Sequence, residues 1–487
     1  MHEDTMDVQA LWIILAIFML CLLTTHTTEG SSCCSKQGST LFCNGCGLEH
    51  IPVINNTDIT ELYLNDNLIT QIGDNSFINL KNLTYLNLRN NKINKINNYS
   101  FEGLLNLKVL DIYQEETYLI SIEAFKPLVS LESLKLGKIC KGVSCKSATR
   151  IFKHLQKGLK YLEVTVPGHE FVFDDDFSHL HNLQKLTIFG HGCTLNEITN
   201  VTFSAFSGSL QTLHIRDCFV TSVANNSFAS FDKLQTINLA CNRNLSLSGI
   251  FESIWKMPSA TIQTLIVDGV HSGSVFNKLK AKWFKSTKFK NLKRLSLRQT
   301  YLVSIDLDSI YHIPKLEYLN VGYNTILTAD YKNITEFLIF VDKMNMTSID
   351  MSYFGRSLGI GNDFRDKYCR SAQLDSDDFF RKSPSHVVIP HPVPCCNHTF
   401  EMGSSLGQTL AHNIPQSLLF VHLPFAGFPN VQIKQASFND DNNILFLDFS
   451  GVRIKKAYGP VHGLSRVQGI DVSGCNMDYI SASLLPD

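Results

Sequence analysis

The chain has 487 residues, of which 44% are hydrophobic and 18% charged, and its formal net charge is −1. This composition predicts a folded protein and excludes an intrinsically disordered one. The near-zero net charge gives no electrostatic reason to expect nucleic acid or an anionic membrane as the main partner.

Residues 1–30 predict a secretory signal peptide. An apolar run from Leu11 to Leu23 precedes a small, polar stretch suited to cleavage, and this run is shorter than the ~20 apolar residues that span a bilayer. An uncleaved N-terminal anchor is the alternative. The chain is therefore expected in the secretory pathway, on the extracellular or luminal face of a membrane.

Cysteines and glycosylation acceptors support this location. The fourteen cysteines indicate an oxidising compartment, and many N-x-[ST] acceptors are expected on a surface that passes through the secretory pathway. The nine acceptors are Asn55, Asn82, Asn98, Asn200, Asn225, Asn244, Asn333, Asn345 and Asn397.

Residues 31–58 are predicted to form a cysteine-rich N-terminal cap. A repeat array exposes an apolar face at its end, and a disulfide-bonded cap covers it. The disulfide candidates here are Cys33, Cys34, Cys43 and Cys46. A zinc or redox CxxC site at Cys43 and Cys46 is the alternative.

The sequence from residue 59 onward is repetitive. Leu83-Thr-Tyr-Leu-Asn-Leu-Arg-Asn-Asn91 has the pattern LxxLxLxxN, and related stretches begin 24 residues earlier at Ile59 and 24 later at Leu107. This is the leucine-rich repeat, so the fold predicted is an α/β-type leucine-rich repeat solenoid, or horseshoe. Its concave face should be a parallel β-sheet, and its convex face irregular or formed by short helices. The repeats begin at Ile59, Leu83, Leu107, Leu131, Leu159, Leu183, Leu210, Leu234, Ile262, Leu292, Leu316, Met346, Leu418, Ile444 and Val467.

These starts divide the chain into repeats 1–12 (59–354) and repeats 13–15 (418–487). Between them, residues 355–417 are either an inserted loop or two degenerate repeats, because the 72 residues from Met346 to Leu418 are three times 24. The insertion is favoured because the interval holds no LxxLxL.

Two further features recur within the repeats. A phenylalanine six residues before the next leading leucine predicts a stacked convex spine, as at Phe77, Phe101, Phe125 and Phe177. The ninth-position asparagine should bond to neighbouring backbone and form a ladder, as at Asn67, Asn91, Asn242 and Asn324. Local irregularity is expected where Ile139, Val270 and Phe354 replace it.

Further disulfide candidates lie in the repeats and in the interruption. Cys140 and Cys145 are expected to close a small loop in repeat 4, and Cys369, Cys395 and Cys396 fall within 355–417. Cys218 is interpreted as a buried free thiol, with a bridge to Cys193 or Cys241 as the alternative.

No catalytic constellation, metal-binding pattern or cofactor fingerprint is recognisable. We therefore expect no enzyme activity, no cofactor and no metal. Recognition is assigned to the outward positions of the concave sheet, where tyrosine and arginine are favoured contact residues. The candidates are Tyr63, Tyr85, Arg89, Tyr113, Tyr161, Arg216, Arg298, Tyr318 and Tyr323.

The cysteine cap, 24-residue repeats, phenylalanine spine, lengthened repeats and mid-array interruption together resemble a Toll-like receptor ectodomain. The resemblance implies ligand recognition in innate immunity, through a protein or microbial-pattern ligand, and dimerisation of a full-length single-pass membrane protein that signals through a TIR domain. The sequence is interpreted as truncated before the C-terminal cap, membrane helix and TIR domain. A secreted or matrix adhesion or decoy protein without signalling is the alternative.

Overall fold

The computed structural model describes residues 33–322 except 56, 115–118, 140–145, 167–171, 174, 191, 272–276 and 306–310. It further describes residues 324, 348–350, 400–402, 420–422, 431–433, 436–437, 446–448, 454–457, 461–471 and 479–481. In these described parts of the chain, no helix combines the length and apolarity that crossing a membrane requires.

One long sheet runs through the described chain. Each repeat contributes one short strand, and the strands of successive repeats are parallel because every repeat returns to the same side before the next begins. The strands, in spatial order, are Ser35–Gln37, Thr40–Phe42, Glu61–Tyr63, Tyr85–Asn87, Val109–Ile112, Ser133–Lys138, Tyr161–Thr165, Lys185–Ile188, Thr212–Ile215, Thr236–Asn238, Thr264–Ile266, Arg294–Ser296, Tyr318–Asn320, Ser348–Asp350, Phe420–His422, Phe446–Asp448 and Gly469–Asp471. This sheet confirms the predicted leucine-rich repeat solenoid.

The strands pair so that equivalent residues of successive repeats lie side by side. Leu62 pairs with Leu86, Leu86 with Leu110 and Leu110 with Leu134. The same column continues from repeat to repeat as far as Ile470. Side chains alternate along a strand, so each of these leucines is buried while its two neighbours face outward.

The N-terminal cap closes the first edge of this sheet. The hairpin of Ser35–Gln37 and Thr40–Phe42 is antiparallel, and its second strand pairs in parallel with Glu61–Tyr63. Disulfides join Cys33 to Cys46 and Cys34 to Cys43. The alternative of a zinc or redox site at Cys43 and Cys46 is therefore wrong, because both sulfurs are bonded elsewhere.

The convex half is irregular, as predicted. It contains the α-helix Leu247–Trp255 and the 3₁₀-helices Lys146–His154, Asp175–Leu180, Ser204–Phe206, Ala281–Trp283 and Thr287–Phe289. Its short strands are Lys95–Ile96 with Leu119–Ile120, Glu197–Ile198 with Ser222–Val223, Asn277–Leu279 with Leu302–Ile305, Ala436–Ser437 with Val461–His462, and the set Phe400–Met402, Val431–Ile433, Ile454–Ala457 and Tyr479–Ile480.

The phenylalanine spine packs beneath this half. Phe101 and Phe125 stack with ring centroids 6.1 Å apart, and Phe177 contacts Phe152 and Phe173. All five rings are buried, so the aromatic stripe belongs to the core.

The asparagine ladder is also present. Asn242 is fully buried and donates to the carbonyls of Ile215 and Leu239 at 2.8 and 2.9 Å. Its oxygen accepts from the amides of Cys218 and Val220, both at 3.1 Å. One side chain thus satisfies four backbone groups of two repeats.

Asn67 and Asn324 make the same four kinds of bond. In repeat 3, Gln114 accepts from the amide of Ile93 at 3.2 Å and donates to the carbonyl of the same residue, which is part of the bonding that an asparagine makes. Close to Ile139, the pairing shifts register between Lys135 and Lys138, which agrees with the irregularity expected there.

At repeat 7 the ladder position is taken by Cys218, which is bonded to Cys193 in the preceding repeat. The interpretation of Cys218 as a free thiol is therefore wrong. Both cysteines are fully buried, and a buried cysteine can be either a free thiol or half of a disulfide. The disulfide forms because stacked repeats bring residues one period apart into contact.

The interruption is bracketed by neighbouring strands. Ser348–Asp350 pairs directly with Phe420–His422, with Ile349 opposite Val421. Residues 351–419 therefore connect two adjacent strands of the concave sheet.

Candidate recognition surface on the concave sheet

Charged and polar side chains of repeats 3–7 form a row across the middle of the concave sheet. The register places Asp111 beside Lys135, Lys135 beside Glu163, Glu163 beside Thr187, and Thr187 beside His214. Parallel strands lie about 4.8 Å apart, so neighbouring side chains of this row are within reach of one another.

A second row, two residues further along each strand, contains an aromatic pair. The Tyr113 and Phe189 rings stack with centroids 5.3 Å apart and an interplanar angle of 5°, although three repeats separate them in sequence. The two intervening repeats carry Gly137 and Thr165 in this row. Those side chains are small enough for the two rings to meet above them.

Arginines flank this ring pair on both sides. The Arg89 guanidinium lies 4.7 Å from the Tyr113 ring centroid, and that of Arg216 lies 5.2 Å from the Phe189 centroid. Both distances fit cation–π contacts. We call Arg89, Asp111, Tyr113, Lys135, Glu163, Phe189 and Arg216 the concave cluster.

The concave cluster is only partly exposed: Arg89, Lys135 and Glu163 reach solvent, whereas its other four members are buried. The Lys135 ammonium lies 3.7 Å from the Asp111 carboxylate. Burial raises the pKa of Glu163, and the neighbouring Asp111 raises it further, whereas Lys135, Arg89 and Arg216 oppose the increase. Glu163 therefore carries its charge at a cost, which a cationic ligand group would reduce.

An aromatic row lies at the N-terminal end of the same face. Phe42 stacks on Tyr63 and Tyr63 contacts Tyr85, each pair with centroids 5.0 Å apart. The Tyr63 hydroxyl bonds to Glu61 at 3.3 Å. Burial, followed by nearby charge, raises the pKa of both tyrosines.

Tyr161, Arg298 and Tyr318 lie outside the concave cluster as defined above. Tyr161 is 44% exposed on the concave strand of repeat 5. Arg298 is buried, and its backbone amide donates to the buried Asp268. Tyr318 accepts a hydrogen bond from Asn320 at 3.2 Å, and Tyr323 lies outside the described residues.

Phe189 and Asp111 were absent from the predicted recognition residues. Phe189 occupies the same place in its repeat as Arg89, Tyr113 and Arg216. Aligning the repeats by this position would have found it, whereas a search for tyrosine and arginine alone could not.

The described glycosylation acceptors are exposed: Asn55, Asn82, Asn98, Asn200, Asn225 and Asn244. Asn333, Asn345 and Asn397 lie outside the described residues, as do the disulfide candidates Cys140, Cys145, Cys369, Cys395 and Cys396.

Three of the exposed acceptors share one convex motif, N-x-[ST]-F, at Asn98, Asn200 and Asn225. Its hydroxyl residues are buried. Ser227 donates to the carbonyl of Ile198 in the previous repeat at 2.7 Å, and Thr202 accepts from the amide of Thr199 at 2.8 Å. In this motif the acceptor asparagine faces solvent while its serine or threonine belongs to the fold.

Family models match two parts of the chain. Residues 57–115 match the leucine rich repeat, and residues 149–277 match the BspA type leucine rich repeat region. No curated protein sequence matches the chain.

Several solved structures share its architecture. The mouse RP105/MD-1 complex aligns with a TM-score of 0.52 at 16% identity, over 91% of this chain and 75% of the other. The TLR13–ssRNA13 complex aligns with a TM-score of 0.50 at 16% identity, over 94% and 67%.

The Drosophila Toll–Spatzle complex aligns with a TM-score of 0.43 at 13% identity, over 83% of this chain and 46% of the other. The chain therefore spans less than half the length of that Toll chain. At these identities the likeness concerns the fold, and the disulfides indicate a secretory or extracellular location. The chain is an α/β leucine-rich repeat solenoid whose fold is that seen in Toll-like receptor ectodomains.

Proposed function

We propose that this chain is the extracellular ligand-recognition portion of a Toll-like innate-immune receptor, and that the concave cluster contacts the ligand. The supporting observation is a patch of partly exposed charges of both signs, formed by Arg89, Lys135 and Glu163. Arg89 packs over Tyr113, which stacks on Phe189 in a buried pair beneath this patch. Aromatic and arginine side chains dominate the energetics of recognition surfaces. This role requires no catalysis.

The chemistry of the concave cluster favours a protein ligand. Three cations and two carboxylates lie together in it, so a partner with both signs of charge can complement it. A uniformly anionic ligand would meet the carboxylates of Asp111 and Glu163. Among the structural relatives, one is solved with the protein MD-1 and one with single-stranded RNA. The mixed charges of the concave cluster suit a protein partner better than an RNA.

The same proposal assigns the chain's segments. Residues 1–30 are the signal peptide, 31–58 the cap, and 59–354 and 418–487 the repeats. Residues 355–417 are an insertion, supported by the direct pairing of Ser348–Asp350 with Phe420–His422. Two further repeats in the interval would have placed two more strands between these two.

A signalling chimera tests this function. The whole chain is joined to the membrane helix and TIR domain of a Toll-like receptor, and an NF-κB reporter is measured with the proteins MD-1 and flagellin, a lipopeptide and RNA as separate stimuli. We expect a protein stimulus, rather than the lipopeptide or the RNA, to activate the reporter.

Matched tyrosine variants locate the contact. Tyr161→Ala removes an exposed ring (44%) beside the concave cluster, whereas Tyr99→Ala removes a more exposed ring (59%) on the convex side. Arg89→Ala removes the cation over Tyr113. We expect Arg89→Ala and Tyr161→Ala to raise the half-maximal ligand concentration roughly tenfold and Tyr99→Ala to leave it unchanged. Equal responses in all three variants, or activation by none of the stimuli, would contradict the proposal.

A further inference from the structure

A run of positive charge lies far from the concave cluster. From residue 269 to residue 305 the sequence contains nine lysines and arginines and no aspartate or glutamate. Across repeats 8–10 (234–315) there are twelve lysines and arginines against four acids, a net charge of +8. The whole chain nevertheless has a net charge of −1, because acidic residues elsewhere offset this local excess.

The fold places most of this charge on one convex surface. Between Asn277–Leu279 and the strand Arg294–Ser296, the apolar residues Leu279, Trp283, Phe284 and Phe289 are buried. The lysines that alternate with them face solvent. We call Lys278, Lys280, Lys282, Lys285, Lys288 and Lys290 the lysine ridge; all are exposed except Lys288, which is half-buried.

The buried rings hold the ridge in place. Phe251, on the helix Leu247–Trp255, contacts Trp283, Phe284 and Phe289 with centroids 5.1, 4.9 and 5.8 Å apart. The Trp255 indole nitrogen donates to the carbonyl of Trp283 at 2.7 Å. The lysines therefore project from a packed segment.

Positive charge continues into the adjoining repeats. Lys256 is exposed at the end of the preceding helix, and Lys315 of the following repeat donates to Asn291 at 2.9 Å. The Lys288 ammonium bonds to the carbonyl of Pro258 at 3.0 Å. The basic surface thus crosses three repeats, a width of roughly 10 Å between outer strands.

Nearby carboxylates do not neutralise the ridge in the described part of these repeats. Asp268 is fully buried and bonded to Ser296 and to the amide of Arg298. Glu317 pairs with Lys293 at 3.0 Å, outside the ridge. Glu252 is half-buried in the helix of the preceding repeat, so it opposes six ridge cations with one charge.

The lysine ridge itself carries no N-linked glycosylation acceptor. The sequence has no N-x-[ST] acceptor between Asn244 and Asn333, so repeats 9 and 10 are free of one.

We propose that the lysine ridge binds a linear sulfated polysaccharide of the heparin class. Lysine-rich surfaces attract polyanions through counterion release, whatever their sequence. The ridge aromatics Trp283, Phe284 and Phe289 are buried, so they cannot serve as the stacking platform that single-stranded nucleic acid uses. The ridge cations are all lysines, which act as point charges, whereas bidentate phosphate recognition favours arginine. The oxidising, extracellular side of the cell is also where sulfated polysaccharides lie.

The experiment measures binding of the full secreted chain to a heparin oligosaccharide by calorimetry, over a series of salt concentrations. The ridge variant combines Lys282→Gln, Lys285→Gln and Lys290→Gln. These three lysines are exposed, and glutamine removes the charge while it retains part of the aliphatic side chain. The control combines Lys36→Gln, Lys81→Gln and Lys92→Gln, which are equally exposed and change the net charge equally. We expect the ridge variant to weaken binding roughly tenfold or more and to lower the salt slope by about 2 to 3, and the control to bind as the parent does.

Three results would overturn the proposal. The first is that the parent chain does not bind heparin. The second is that the ridge and control variants bind heparin equally. The third is that an RNA duplex binds through the ridge more tightly than heparin does at the same salt concentration. Because the concave cluster is intact in both variants, retained reporter signalling separates failure of this proposal from failure of the proposed function.

Discussion

The ladder residue Asn242 provides a sharp test of how one repeat is joined to the next. Its buried side chain makes four hydrogen bonds of 2.8–3.1 Å to backbone groups of two repeats. The substitution Asn242→Ala leaves two amides and two carbonyls buried without these bonds. At ~1 kcal/mol for each bond, the free energy of unfolding should fall by about 4 kcal/mol.

Hydrogen exchange measures this loss locally, which matters because repeat arrays need not unfold in one step. In the variant, the amides of Cys218 and Val220 should exchange about 10²- to 10³-fold faster, since 1.4 kcal/mol corresponds to a factor of ten. Asn226→Ala, at an exposed asparagine in repeat 7, is the control and should stay within ~0.5 kcal/mol of the parent. If Asn242→Ala changed these rates less than about tenfold, the ladder would not be what joins the repeats.

The other two predictions concern the concave face. Gly137→Ala would place a methyl group on the backbone carbonyl of Gln114, so we expect the free energy of unfolding to fall by ~3 kcal/mol or more. The control Gly208→Ala adds its methyl group in open space and should be nearly neutral. Equal melting temperatures for the two variants would contradict this packing. For Glu163, the raised pKa means that the folded chain binds the proton more tightly than the unfolded chain does, so stability falls as pH rises from 4.5 through the folded pKa. Glu163→Gln should therefore gain stability over the parent at neutral pH and lose this advantage below pH 4.5. Urea unfolding at both pH values measures this difference, with Glu49→Gln as the exposed control, and a pH-independent difference would refute the assigned cause.

The solenoid could be predicted from the sequence because its determinants are periodic. Leu62, Leu86, Leu110 and Leu134 recur every 24 residues and lie in one column. A fixed period leaves one way to bury them together. The asparagine at the ninth position was predictable for the same reason, since three of the four bonds of Asn242 are made to the repeat before it.

The recognition surface was only partly predictable. Tyr113, Arg89 and Arg216 could be identified by residue type and position, but the contact between Tyr113 and Phe189 passes over two repeats. It depends on the small side chains at Gly137 and Thr165, and such a contact has no signal in any single repeat. The disulfide of Cys218 could not be predicted for the same reason, because the stacking of the repeats decides which cysteine lies next to it.

The buried hydroxyls of the convex N-x-[ST]-F motif affect how sugar attachment should be studied. Replacing Ser227 with alanine would abolish the acceptor at Asn225, but it would also remove a 2.7 Å bond to the preceding repeat. Any loss of secretion would then mix two causes. Changing Asn225 to glutamine removes the acceptor alone, because that side chain already faces solvent.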